Sequence, residues 1–292
     1  MDLTTFIISV FCITHDWLKD KRLRQRGPQP TLHDSEVLTM EVVDEFLGYD
    51  QEEEIYDYFR RHWADLFPQL PTVHRTTFTR QAANLWRVKE QLWQELLQRI
   101  DFDEQISIVD SFPQPVCRFA RSKWSRLFQG EAAYGYDELA KQTFYGFRFH
   151  ARICWPGVIV AAELTPANVH DLHALEDLVE GASGWVLGDR NYWSPEKKEA
   201  LAKQGVNLLA PYKSKKREQK RWPLWLVQKR RRIETVFSQL VGRFQAKTVW
   251  ARDMWHLCSR WLRKILSHTF AVLLAQQLGL DSPLQFDNLI VD

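Results

Sequence analysis

"GWVLGDRNY", residues 184–192, decides how the second half of the chain reads. Trp185, Val186 and Leu187 end a short apolar run, the pattern of a buried strand in a parallel sheet. Asp189 stands where that strand stops. Aspartate is common at strand ends and helix starts, where it caps free backbone N–H groups, so the position has a plain structural reading. A chemical reading becomes competitive only if other acids occupy matching places.

Working outward, residues from about 105 onward read as alternating strands and helices. "ISIVD" (106–110) is a short β-branched run ending on Asp110. "FYGFRFHARICW" (144–155) alternates in part, and Pro156-Gly157 marks a hairpin turn into "GVIVAAEL" (157–164). "DLHALEDLVEGA" (171–182) has a helical pattern. After the strand at 184–189, "SPEKKEALAKQG" (194–205) reads as a helix capped by Ser194 with Pro195 at its first position. "VNLLA" (206–210) is another short strand, and "LVQKRRRIETVFSQLVGRF" (226–244) a strongly amphipathic helix. The order is three strands, then helix, strand, helix, strand, helix. It implies an α/β layer architecture with antiparallel strands first and parallel ones after.

Residues 1–100 read as all-helical. Apolar positions recur at helical spacing in Leu3–Leu18 and Val37–Leu47, and "HDSEVL" (33–38) offers Asp34 or Ser35 as an N-cap. "QEEEIYDYFRRHW" (51–63) is a further helix. Residues 72–100 fit two helices or one long one, with Arg75, Arg80 and Arg87 along them. Two readings stand side by side there: a helix-turn-helix that contacts DNA, or a solvated basic face.

The 292 residues, 45% hydrophobic, suffice for one large core or a core plus an appended domain. The net charge of +2 hides an asymmetry. Residues 1–59 hold 13 acids against 5 Lys/Arg, a net of −8, so residues 60–292 carry 34 Lys/Arg against 24 acids, a net of +10. A basic body suggests a polyanionic partner. Residues 213–232 alone contain ten Lys/Arg and one acid, with Trp222 and Trp225 among them. Basic residues interleaved with aromatics hold phosphate backbones and stack bases, so Lys213, Lys215, Lys216, Arg217, Lys220, Arg221, Arg230 and Arg231 are candidate DNA contacts. Arg118, Arg121 and Lys123, with Arg126, form a second basic patch. The four cysteines are far apart and signal neither a zinc site nor a disulfide framework, which fits a reducing cytoplasm. The apolar C-terminal stretch is interrupted by Arg260, Arg263, Lys264 and His268 and reads as a core helix, with no membrane span expected.

Three carboxylates stand out against this frame. Asp110 and Asp189 hold equivalent strand-end positions, and residues at the carboxyl ends of strands in an open sheet project into its binding crevice. Glu234 lies just off the apolar stripe Ile233, Val236, Phe237, Leu240 and Phe244, directly after Lys229–Arg232. Magnesium needs hard oxygen ligands, a few carboxylates plus waters and phosphates. Two such ions serve an in-line phosphoryl displacement by activating the attacking oxygen and stabilising the leaving one.

The motifs "HDSEVLTMEVVDEFLG" (33–48), "VDSFPQPVC" (109–117), "YGFRFHARI" (145–153), "LTPANVHDLHALEDL" (164–178), "GDRNYWSP" (188–195) and "RRRIETVFSQL" (230–240) resemble the DDE transposases of bacterial insertion sequences. The resemblance is closest to the short single-protein family numbered nine hundred and eighty-two. It implies an RNase H-like mixed sheet flanked by helices over 101–292, carrying a basic insert near 211–228 and C-terminal helices, after a helical region at 1–100 for end binding or dimerisation. It implies Asp110, Asp189 and Glu234 as the catalytic, metal-holding triad, spaced 79 and then 45 residues apart, with two Mg²⁺ or Mn²⁺ ions. The activity implied is cleavage at the element's inverted-repeat ends and 3′-hydroxyl strand transfer into target DNA, by a homodimer on the ends. His150 and His170 match motif positions near the site. Two features depart from the pattern. Asn191 stands where relatives often have Gly, and Val227 and Val241 occupy the steps where the wider class has Tyr and Lys, while Arg230 fits its Arg. A metal-dependent nuclease without strand transfer and a domesticated DNA-binding protein remain the alternatives.

Overall fold

The computed structural model describes residues 1–24, 26–211 and 224–291, which form two units. The candidate DNA contacts Lys213, Lys215, Lys216, Arg217, Lys220 and Arg221, together with Trp222, lie outside the described residues. One unit comprises 1–100, 242–246 and 253–292, and the other 101–241 and 247–252. The C-terminal segment, grouped with residues 101–292 in the sequence reading, therefore folds with the helical unit.

The second unit is built on a six-stranded sheet. Its strands are β1 (Asp103–Pro115), β2 (Ala133–Asp137), β3 (Gln142–Trp155), β4 (Val158–Pro166), β5 (Gly184–Leu187) and β6 (Val206–Leu209). β1 pairs antiparallel with β3 and parallel with β5, which pairs parallel with β6. β3 pairs antiparallel with β2 and β4, which follow one another along its other edge. Four antiparallel strands, β1 to β4, joined to two parallel ones, β5 and β6, make the mixed sheet expected of an RNase H-like domain. β2 is the strand missing from the sequence reading; its alternation of exposed Tyr134 and Tyr136 was the available signal.

α7 (Asp171–Leu178) and α8 (Pro195–Ala202) cover one face. Val109 and Val186 from the strands join Ala174, Leu175, Leu178 and Leu201 in one buried cluster there. Ser194 caps α8 through Lys197 N, with Pro195 in the first turn, as expected. The long amphipathic helix expected over 226–244 is broken at Arg231 into α9 (Leu224–Arg230) and α10 (Arg232–Gly242).

The helical unit contains α1 (Leu3–Leu18), α2 (Asp34–Leu47), α3 (Glu52–His62), α4 (Arg75–Asn84), α5 (Trp86–Leu97) and the long α11 (Met254–Gln277). Residues 72–100 thus form two helices, broken at Leu85. The cap of α2 is His33 rather than Asp34 or Ser35: its ring accepts from Ser35 N, and Glu36 reaches back to His33 N at 2.6 Å. Both α2 and α11 are buried over most of their length, as core helices are. No helix among the described residues is long and apolar enough to cross a membrane.

The acidic N-terminal segment finds its counter-ions inside this unit. Glu41 accepts from Lys89 Nζ at 2.7 Å, and Glu45 accepts from Arg263 Nε at 2.5 Å and Lys264 Nζ at 2.6 Å. Glu52 is paired with Arg260, and its carboxyl is held down at about 2 by Arg263 and Arg260 against the opposing effect of burial. Buried charges of this kind are tolerated only in such pairs, since removing one partner strands the other at a cost of about 3–5 kcal/mol.

Asp44 is different. Both its carboxylate oxygens are buried with no hydrogen-bond partner among the described residues. Burial pushes its carboxyl up to about 9, opposed by Arg263 and reinforced by Glu45 and Glu54. An unfolded Asp titrates near 3.9, so from about pH 4 upward the folded chain keeps a proton that the unfolded chain has lost. Stability from this group is therefore complete below that range and is lost as pH rises towards 9, by up to about 1.4 kcal/mol per pH unit. Asp44→Asn should remove the dependence: urea denaturation should find the variant gaining on wild type between pH 5 and pH 8. A constant difference would mean that Asp44 is ionised in the fold.

Candidate active site

The parallel ladder between β1 and β5 is short, pairing Ile106 with Trp185, Ser107 with Val186 and Ile108 with Leu187. β1 does not stop there. It continues to Pro115 against β3, so Asp110 lies inside a strand and not at its end, which corrects the sequence reading. The strand-end environment nevertheless exists, because β5 has ended and the edge of β1 facing it is open. Side chains alternate along extended backbone. Asp110 and Asp189 each lie two residues beyond the Ile108–Leu187 pair, and Asp189 keeps an extended backbone at φ −81°, ψ −171°. The two carboxylates therefore share a face and a level.

Each is oriented by a backbone N–H. Asp110 Oδ1 accepts from Ser111 N at 2.8 Å, and Asp189 Oδ1 accepts from Asn191 N at 2.8 Å. Asp189 is thus the N-cap of a short 3₁₀ turn, Arg190–Tyr192, so the plain reading of this residue holds as well. The second oxygen of each carries no hydrogen bond among the described residues. Burial pushes the Asp110 carboxyl up to about 7; Asp189 and Asp171 add to the rise, while the Ser111 N–H and Arg230 oppose it. Asp189 is raised by burial and by Asp171, against the Asn191 N–H and Arg230.

α9 and α10 lie over the same face. Lys229 Nζ is 3.7 Å, and Arg232 Cζ 4.8 Å, from the ring centroid of Trp155 at the end of β3. Phe237 packs on Phe112 and Phe149, with ring centroids 4.9 and 6.5 Å apart. Asp110 pairs with Ala151 and so falls between those two anchors on β3. Glu234, between Arg232 and Phe237 on α10, is exposed. Ile233, Val236 and Leu240 are its buried neighbours, as the apolar stripe required.

Asp171, the first residue of α7, is drawn into the site. It accepts from Ser111 Oγ at 2.8 Å and Asn191 Nδ2 at 3.1 Å, and Arg148 Nε and His150 Nδ1 each stand 3.7 Å away. It is nearly fully buried and lies close enough to raise both other aspartates. Asn191 thus cradles Asp189 with its backbone and Asp171 with its side chain, a role glycine lacks. His150 is fully buried, bonds Thr165 Oγ1 through Nε2 at 2.8 Å, and is held down at about 4 by burial, so it is neutral. His170 caps α7 by accepting from Leu172 N at 3.2 Å.

The donor set suits a hard divalent cation. Two carboxylates with free oxygens stand at one level, and burial together with mutual repulsion disfavours their charge unless a cation offsets it. Among the described residues no three Asp, Glu, His or Cys side chains are close enough to hold a metal between them, so Glu234 does not complete the pair.

Of the candidate DNA contacts, Arg80, Arg118, Arg121, Lys123 and Arg231 are exposed. Arg75 is ion-paired with Glu53, and Arg230 is half-buried beside Asp110 and Asp189.

Residues 102–250 match the model of a family described as transposase DDE domain. A solved piggyBac transposase synaptic complex with hairpin DNA is similar over 98% of this chain and 76% of that one, at 11% identity and a TM-score of 0.47. No curated protein is significantly similar in sequence.

Gly188 links β5 to Asp189, and a Cβ there would lie 2.8–2.9 Å from the Cβ, Cγ and Cδ2 of fully buried Tyr192. Gly188→Ala should therefore destabilise the fold by about 1–3 kcal/mol through overpacking. Tyr192→Phe should be neutral or stabilising, because the buried Tyr192 hydroxyl has no partner among the described residues. Denaturation midpoints of the two variants check both. An unaltered midpoint for Gly188→Ala would mean that Tyr192 does not fix the approach to Asp189.

Proposed function

The chain belongs to the transposase DDE domain family, and from that premise we propose that it cleaves DNA at the ends of a bacterial insertion sequence and joins the freed ends to target DNA. The observation that carries the reading is the pair Asp110 and Asp189. It lies at one level of an opened sheet edge, beneath the helix bearing Glu234, within the matched segment.

In this reading Asp110 and Asp189 hold the cofactor, Glu234, which stands apart from the pair in the free protein, would close on it as the third ligand, and Mg²⁺ or Mn²⁺ is the expected metal. When bound, two such ions activate the attacking oxygen and stabilise the leaving one. The protein's share is placement. Ser111 N and Asn191 N fix the two carboxylate rotamers, Asp171 braces the loop through Asn191, and Trp155 and Phe112 seat the α9–α10 pair. Arg230, facing both aspartates, is suited to a phosphate of the scissile strand. In the first step water displaces a 3′-oxygen from phosphorus and one phosphodiester bond is lost. In the second the freed 3′-hydroxyl attacks a target phosphodiester, so one bond forms as one breaks. The motif match supports the family numbered nine hundred and eighty-two, a homodimer on the ends and a cytoplasmic setting.

The test uses the full chain, a duplex carrying the gene's own flanking sequence and a supercoiled target plasmid. Cleavage should require Mg²⁺ or Mn²⁺ and be abolished by chelator. Asp110→Ala, Asp189→Ala and Glu234→Ala should each lower it by at least about 100-fold, since each loses several kcal/mol of transition-state stabilisation, while duplex affinity stays near wild type. Full cleavage in chelator would overturn the metal reading. Cleavage without joined plasmid products would reduce the protein to a nuclease.

A further inference from the structure

Between β1 and β2 the chain leaves the sheet as a basic, aromatic excursion, and together with Trp250 it surrounds a cavity of about 740 Å³. Trp124 is 77% exposed and Trp250 47% exposed at its wall. Arg118, Arg121 and Arg126 also line it, and none of them makes an ion pair among the described residues. All of these residues belong to the sheet-bearing unit. Folding does not account for the combination. Trp124 at that exposure contributes little to a core, and three arginines with no ion pair among the described residues repel one another.

We propose that this cavity takes an unpaired nucleotide of the DNA, its base stacked on Trp124 and Trp250 and its phosphates held by Arg118, Arg121 and Arg126. The proposal rests on the transposase reading and goes beyond it by naming a second DNA-binding place and the form of DNA it takes. The volume lies within the range of small-ligand sites. Aromatic faces bind any base without sequence preference, whereas a closed duplex hides its base faces and offers only phosphates. An arginine-only groove would suit duplex; exposed tryptophans between arginines suit a strand whose bases are free. Distance is compatible with one strand serving both places. Val116, on the cavity wall, is the first residue past β1 and lies six residues from Asp110, roughly 20 Å of extended chain, a span that a few nucleotides of single strand cover.

The test compares equilibrium binding of the full chain to (dT)20 and to a 20-base-pair duplex, without divalent metal so that neither is cut. Trp124→Ala should weaken (dT)20 binding by about 5- to 150-fold, the range for losing one base–aromatic stack, and leave duplex affinity within about twofold. Trp124→Phe should restore most of the loss, because a ring and not a hydrogen bond is required. Trp250→Ala should act in the same direction. Equal losses for both DNAs, an unchanged (dT)20 affinity in Trp124→Ala, or a wild-type protein that binds duplex but not (dT)20 would each overturn the inference and leave the transposase reading standing. A wild-type protein that binds neither DNA would overturn both.

Discussion

The unequal lengths of the two ladders on β1 govern the rest of the structure. Against β3 the strand is paired from Asp103, across one irregularity, to Pro115; against β5 it is paired only from Ile106 to Ile108. A central strand that outlasts one neighbour exposes backbone and side chains on that side alone. The opening begins at Asp110, and the chain leaving β5 turns at Asp189 on the same level. Gly188 makes the turn possible by leaving room for Tyr192, whose ring closes the core directly beneath. Every other part of the site is referred to this step in the sheet.

Its electrostatics follow. Acids placed together and partly desolvated raise one another's affinity for protons, and Asp110 feels both Asp189 and Asp171. The sheet limits the conflict by dividing the labour between its faces. Asp171 sits on the α7 side, satisfied by Ser111 and Asn191 and faced by Arg148. Among the described residues, Asp110 and Asp189 each leave one oxygen without a hydrogen bond. The burial that makes their charge unfavourable in the free protein is what favours a cation there.

The helical unit treats charge in the opposite way. Glu41, Glu45 and Glu52 are locked to Lys89, Arg260, Arg263 and Lys264 within its own interior. The net of −8 over residues 1–59 is therefore not a free acidic surface, since part of it is cancelled by cations far along the chain. The acidity of that segment is largely an internal matter of pairing, while Arg118, Arg121 and Arg126 of the β1–β2 excursion, which make no ion pair among the described residues, face solvent in the other unit.

Much of this was legible in the residues themselves. Periodicity gave the alternating strands and helices after residue 105, Pro156-Gly157 gave the β3–β4 turn, and Ser194-Pro195 gave the start of α8, because each depends on local backbone and packing preferences. The motifs around Asp110, Asp189 and Glu234 singled out those three acids. What local chemistry could not specify was partnership. That β1 runs past Asp110 to Pro115 depends on β3 being there to pair with it. That Asp171 joins the cluster depends on α7 meeting Ser111 from another strand. That residues 253–292 fold with the helical unit depends on Arg263 and Lys264 meeting Glu45, some 220 residues earlier. Residue type and spacing determine an element's form and which face it buries. Which elements share that face is decided by long-range pairing and burial, and only the tertiary structure carries it.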